Sequence, residues 1–337
     1  CLKLKSLDLS NLDFSGIISM SYMFGSCSDL ESIIFGNITI PSVTNMKSAF
    51  SCCKKIKSLD LSSFNFSQVI SMSKMFYACS SLETIDFGNT KISIVSEMDN
   101  LFYNCSKLAI NLTFFQNINT SSVKNMQYLF YYCSNLITID LSNFDFSQVT
   151  DMSNMFNGCS NLKHIDFGNK NISISSVENM RYLFSGCFKL TSLDLSIFDT
   201  SKVIDISYMF YGCKDLKYLD LSNFVNSIVA QASDIFQSCK SLMYMNLNSF
   251  KLSETLIDKA GFNDLPSNVK ICIKDIDTKN FIFAKNDKII SICSDTCYNE
   301  SNTKLDIYNN LCVNSCTKNG GIYEYNNTCY HKCPNNT

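Results

Sequence analysis

Cysteine returns along this chain with a fixed beat, and that beat limits the fold more than any other feature. Cys1, Cys27, Cys53, Cys79, Cys105, Cys133, Cys159, Cys187, Cys213 and Cys239 follow one another at intervals of 26 or 28 residues. Self-similarity at 20–50 residues marks stacked units, none of which can bury its apolar side alone. The chain therefore reads as a solenoid.

Each unit carries two hydrophobic periods. Val203, Ile206, Phe210 and Cys213 fall at i, i+3, i+7 and i+10, the spacing of one helix face. The same face recurs as Val69, Met72, Phe76, Cys79 and as Val149, Met152, Phe156, Cys159. Ser201, Ser67 and Ser147 precede these runs as candidate N-caps. After the cysteine the period drops to two. Leu219 and Leu221 flank Asp220, the alternation of a strand with one buried face. The expectation is an α/β fold, a leucine-rich-repeat-like solenoid of short parallel strands and short helices. LDLS units (Leu59–Ser62) interleave with IDFG units (Ile85–Gly88, Ile165–Gly168), which suggests growth by doublets. The unit between Cys105 and Cys133 departs from the pattern and carries a longer turn, Thr113 to Ser122, so a local bulge is expected there.

Two long phrases, IDLSNFDFSQVTDMSNMFNGCSNL (139–162) and SLDLSIFDTSKVIDISYMFYGC (192–213), resemble the mycoplasma-type lipoprotein surface repeat. That repeat is related to the BspA-like branch of leucine-rich repeats. The resemblance covers residues 1 to about 250. It implies a cell-surface solenoid associated with adhesion, and it supplies no catalytic residues.

Three explanations compete for the cysteine in every rung. A small apolar residue suits a tight turn into the sheet. A metal ladder needs several ligands converging on one point, which one cysteine per rung does not provide. Rung-to-rung disulfides need Cα atoms about 4.4–6.8 Å apart. Buried free thiols are the expectation, with Cys52 as the exception.

Three units are expected: the solenoid over 1–250, a cap over 251–292 that shields the last rung, and a small disulfide-rich module over 293–337. The module holds the pairs Cys293/Cys297, Cys312/Cys316 and Cys329/Cys333. Zinc is an alternative for such pairs. Disulfides are preferred, because a short polar segment with little core needs staples. The spacing resembles furin-like cysteine-rich repeats. That resemblance implies Cys297–Cys312, Cys316–Cys329 and Cys272–Cys293 bridges, with Cys333 pairing beyond Thr337.

Asn37, Asn119, Asn171, Asn299 and Asn326 stand in N-x-S/T sequons and are glycosylation candidates. Cysteine tail and sequons together point to an extracellular or cell-surface setting, eukaryotic in preference to a bacterial lipoprotein lipidated on Cys1. Net charge is −2, which argues against a nucleic-acid partner. No apolar run approaches the ~20 residues of a membrane helix, so membrane attachment is expected only through chain outside this sequence.

In each L-x-x-L-D-L the residue between the last two apolar positions faces outward. Asp60, Asp86, Asp140, Asp166, Asp194 and Asp220 fill that file, and His164, Tyr218 and Tyr244 stand two residues earlier in theirs. Each Asp has a local role available, accepting a backbone N–H of its own turn. The functional alternative is a recognition face for an extracellular protein or glycan, with calcium as a candidate ion. Two histidines and no phosphate loop or nucleophile elbow argue against an enzyme. No cofactor or metal centre is expected. The runner-up is a passive spacer.

Overall fold

The computed structural model describes residues 2–36, 40, 43–109, 113–168, 174–195, 198–225, 227–247, 249–251 and 253–273, with short backbone segments beyond. The alternating Leu/Asp positions form three-residue strands: β1 (Ser6–Asp8), β2 (Ser32–Ile34), β3 (Ser58–Asp60), β4 (Thr84–Asp86), β5 (Thr138–Asp140), β6 (His164–Asp166), β7 (Ser192–Asp194), β8 (Tyr218–Asp220) and β9 (Tyr244–Asn246). They pair in parallel and in register, Ser58 on Thr84 and Asp60 on Asp86, Thr138 on His164 and Asp140 on Asp166. β10 (Lys270–Cys272) and β11 (Ser291–Ile292) extend the β7–β9 sheet, so the parallel ladder runs on through the 251–292 segment. A second ladder of single bridges links one residue per coil from Ser19 through Asn45, Ser71, Glu97, Asn125, Asp151, Asn179 and Asp205 to Gln231.

The helices expected in every unit are absent; the fold is a parallel-strand β-solenoid. Among the described residues up to Ile273 only α1 (Thr113–Gln116) and α2 (Glu254–Lys259) are α-helical. The Val–Met–Phe–Cys segment is instead a chain of turns. In one copy Met209, Tyr211, Cys213 and Leu216 donate N–H to the carbonyls of Ile206, Tyr208, Phe210 and Cys213. The intervening N–H groups of Ile206, Tyr208, Phe210 and Gly212 donate to Gln231, Ser233, Ile235 and Gln237 of the next coil. An α-helix would spend its N–H groups internally. Here every second one ties two coils together. Apolar residues at i, i+3 and i+7 return to one side in both arrangements, because the turns also close between i and i+3.

Two of these turns, 206–209 and 210–213, place a left-handed residue at their third position, as a type II turn requires. It occurs twice per coil, at Tyr208 (φ 60°) and Gly212 (φ 72°) here, and at Lys74 (φ 56°) and Ala78 (φ 58°) earlier. A non-glycine residue there carries roughly 1 kcal/mol of strain. Ala78→Gly is therefore expected to raise stability by roughly 0.5–1 kcal/mol, read as a shift in the urea midpoint at unchanged slope. A loss of stability would contradict the turn assignment. The serines expected to cap helices receive no cap role either: Asn65, Asp145 and Asp199 accept the N–H of Ser67, Ser147 and Ser201.

The coils share one continuous core that includes Leu59, Ile139 and Leu219 of the strands and the Met, Phe and Cys of the turns. Its spine is a file of phenylalanines, Phe24, Phe50, Phe76, Phe102, Phe130, Phe156, Phe184, Phe210 and Phe236. Successive rings are stacked at centroid distances from 5.3 Å to 6.2 Å. The irregular unit carries α1, whose Phe115 fills the core edge-on to Phe130 and Phe144.

The cysteines of Cys27 to Cys239 form no disulfides, and all but Cys52 are buried. Cys52, the expected exception among the buried free thiols, is a free, half-buried thiol at a left-handed turn position (φ 60°). From Cys53 onward each thiol donates to the carbonyl of the spine phenylalanine one coil back, as Cys53 to Phe24 at 3.1 Å and Cys159 to Phe130 at 3.0 Å. That carbonyl also accepts the N–H that closes its own turn, Cys27 to Phe24 and Cys133 to Phe130. A carbonyl oxygen has two lone pairs, and the thiol satisfies the second. This is a reason for Cys beyond its small size.

Burial, followed by neighbouring thiols at Cys53, pushes Cys53 and Cys133 up to about 12. Two results are expected. A thiol reagent at pH 8 labels Cys52 rapidly and spares the nine buried ladder thiols until the chain unfolds, as peptide mapping would show. Labelling of Cys79 or Cys105 at the Cys52 rate would overturn this. Stability should also fall as pH rises from about 9 to about 12, because over that window the unfolded chain has lost thiol protons that the folded chain still holds.

Near the C-terminus, β12 (Lys304–Asp306), β13 (Leu311–Val313), β14 (Tyr323–Tyr325) and β15 (Thr328–Tyr330) form a separate sheet in the order β13-β12-β15-β14. Cys312 and Cys329 lie on β13 and β15. Cys272 is disulfide-bonded. Its partner, like Cys293, Cys297, Cys316 and Cys333, lies outside the described residues, so the expected pairings do too.

Candidate functional site

The exposed face of the strand ladder is the first candidate. Ser58, Thr84 and Thr138 point outward beside Asp60, Asp86, Asp140 and Asp166, while Leu59, Ile85, Ile139 and Ile165 turn toward the core. Register sets Asp60 on Asp86, Asp140 on Asp166 and Asp194 on Asp220. Each described carboxylate has a local partner two residues on. Asp60 Oδ1 accepts from the Ser62 hydroxyl (2.6 Å) and N–H (3.0 Å), Asp86 from Gly88 N–H, Asp140 from Ser142, Asp166 from Gly168 and Asp220 from Ser222. The Ser62 hydroxyl and N–H hold the Asp60 carboxyl below the usual carboxylate range. The four ion pairs formed among the described residues, Lys55–Asp29, Arg181–Asp205, Lys189–Asp215 and Lys240–Asp264, involve none of Asp60, Asp86, Asp140 or Asp166.

His164 and Tyr218 are partly exposed on this face. Tyr244 is not: it is 2% exposed beneath β10, and its hydroxyl donates to Cys272 Sγ at 3.2 Å. Among the glycosylation candidates, Asn119 is exposed; its amide donates to the Ser93 carbonyl and its oxygen accepts the Ser121 N–H. Asn37, Asn171, Asn299 and Asn326 lie outside the described residues.

The sequence reading passed over a second set of residues, tyrosines on the turn edge. Tyr77, Tyr103 and Tyr131 stack at 4.4 and 4.5 Å, with Tyr128 and Tyr132 against Tyr131. Burial, then the neighbouring tyrosines, pushes Tyr131 up to about 12. A second group begins two coils after Tyr128: Tyr182 and Tyr208 stack at 4.5 Å, and Tyr211 stands edge-on to Tyr208. The signal was available as Y in YLFYYC and YMFYGC, but helical periodicity hid that these residues line up one coil above another.

The described residues contain no cluster of three or more His, Cys, Asp or Glu able to hold a metal, and none of their helices is long and apolar enough to cross a membrane. A search of the curated proteins finds no match. Among solved structures the chain is similar to that titled "Crystal structure of TLR13-ssRNA13 complex", at 19% identity and TM-score 0.32, covering 80% of this chain and 36% of that one. It is also similar to "The Crystal structure of Pneumococcal vaccine antigen PcpA", at 13% identity and TM-score 0.37, covering 86% and 70%. The chain thus spans about a third of the first of these. A family model matches residues 2–115, 83–173 and 164–270 in tandem, and the chain belongs to that family, described as Mycoplasma protein of unknown function, DUF285.

Proposed function

We propose that this is a cell-surface recognition protein that engages a basic extracellular partner through the exposed strand face, in adhesion. One observation carries the reading. Four carboxylates stand in register in two directly stacked pairs, and none of the ion pairs among the described residues neutralises them. Like charges facing each other across strands cost up to about 1 kcal/mol. A cationic partner surface would remove that cost and gain steering from the same field. A rigid stack is also a suitable platform for an extended contact. The family resemblance to BspA-like surface repeats and the cysteine-rich, furin-like tail agree with an extracellular setting, and calcium is a candidate bridging ion.

The test uses Asp86→Asn, Asp140→Asn and Asp166→Asn together. Asparagine keeps the oxygen that accepts the turn N–H, so the fold is retained while three charges go. Saturable binding to cell surfaces and to basic extracellular proteins is expected, weakening with salt and at least tenfold weaker in the triple variant. Binding that ignores both salt and substitution would refute the acidic face. Absence of any saturable binding would favour the passive spacer, a reading supported by the local turn bond that each Asp already makes.

A further inference from the structure

The turn edge near the C-terminal end of the solenoid holds a cleft that the strand face does not explain. Its volume is about 260 Å³, and Tyr208, Asp234, Gln237, Asp258, Lys259 and Asn263 contribute to its lining. α2 supplies Asp258 and Lys259. Gly261, at φ 81°, belongs to the lining too; a Cβ there would lie 3.0 Å from the Gln237 backbone nitrogen. Tyr208 joins the cleft to the aromatic group outside it. Its ring is stacked on Tyr182 and meets Tyr211 at 6.0 Å and 64°. Tyr211 is 39% exposed. The Arg181 guanidinium lies 5.0 and 5.2 Å from the Tyr182 and Tyr208 centroids and 3.5 Å from Asp205.

Four ligand classes can be compared against this chemistry. A metal ion lacks its ligand set, since no three His, Cys, Asp or Glu converge among the described residues. An anion would meet Asp234 and Asp258 with Lys259 as the cation in the lining. A quaternary cation needs rings that face a common centre. Tyr182 and Tyr208 face each other instead, with Arg181 already beside both. A neutral polyol ring fits each feature. Its hydroxyls, each both donor and acceptor, meet carboxylates, side-chain amides and an ammonium within one small and almost wholly polar cleft. The volume lies just under the ~300–1,000 Å³ of drug-sized ligand sites, which suits one sugar ring.

We infer that this cleft, bounded by Tyr208 and lined by Asp234, Gln237, Asp258 and Asn263, binds a neutral hexose residue of a surface glycan. The site is separate from the acidic strand face and stands or falls independently of it.

The test uses the whole 337-residue chain with methyl glucoside, methyl galactoside and methyl mannoside as probes, read by saturation-transfer NMR and on a glycan array. Two variants report on the cleft. Tyr208→Asn removes the ring with a residue that tolerates the left-handed backbone at this position. Asp258→Ala changes an exposed residue of α2. Thermal unfolding checks that both fold. The expected result is contact with at least one hexoside, weakened tenfold or more by each variant and unchanged by the strand-face triple variant. Failure of all three hexosides to bind the wild-type chain, or binding that both cleft variants leave intact, would overturn the inference. Loss of hexoside binding only in the strand-face variant would overturn it as well, and would move the sugar to the acidic face.

Discussion

Phe130→Ala should cost about 3–5 kcal/mol and divide the unfolding of the solenoid into two steps. The ring is fully buried and stacks on Phe102 at 5.8 Å and Phe156 at 5.6 Å, with Phe115 edge-on at 5.8 Å. Truncation leaves a cavity that touches three neighbours at once, and coils tied by a parallel backbone ladder cannot close onto it independently. In a stack where each unit contacts only its neighbours, cooperativity passes through each interface in series. Weakening the middle of the file uncouples the two ends. Phe24→Ala is the comparison: among the described residues its stacked spine partner is Phe50, and the loss should be smaller and leave one transition. Denaturant titrations followed by far-UV circular dichroism decide the matter. A single transition with less than 1 kcal/mol lost in Phe130→Ala would mean that the phenylalanine file does not carry the coupling.

The second large effect belongs to the glycine of the IDFG units. Gly88 has φ 63°, and a Cβ there would stand 2.9 Å from the Ser62 carbonyl oxygen and 3.0 Å from Ser62 Cα. Gly36 meets Ser10 and Gly168 meets Ser142 in the same way. The doublet pattern thus has a physical cause: the backbone of the LDLS serine presses on the next coil where only glycine fits. Gly88→Ala should lose roughly 2–4 kcal/mol, combining left-handed strain with a clash against main chain that has no rotamer to yield. Gly212→Ala separates the two contributions. It has φ 72°, but its nearest new contact is Phe188 Cε1 at 3.8 Å, so only the conformational part, about 1 kcal/mol, should appear. Equal losses at both positions would remove the steric explanation.

Much of this architecture is legible in the residues. Alternation in L-D-L places Leu219 inward and Asp220 outward because a strand has a period of two, and the structure keeps that placement. The ladder of free cysteines follows from a single small residue per rung with no converging partner. The helix expectation fails because i, i+3, i+7 spacing does not distinguish a helix from consecutive turns closed between i and i+3. Glycine at 158, 186 and 212, inside the supposed helix, marked the difference, since each holds positive φ. Serines expected to cap helices are instead N–H donors to Asn65, Asp145 and Asp199.

The sequence by itself determined the repeat length, the strand positions, the buried face and the outward file of Asp, because these depend on spacing within one coil. Only the tertiary structure decided what lies above and below each residue. Stacking put a thiol on each spine carbonyl, glycine against serine, Tyr208 against Tyr182, and Tyr244 out of solvent beneath β10. These contacts join residues 26 to 31 positions apart, and their partners are chosen by how one coil seats on the next. A local pattern reports the faces of a coil, and the register between coils assigns each face its neighbour.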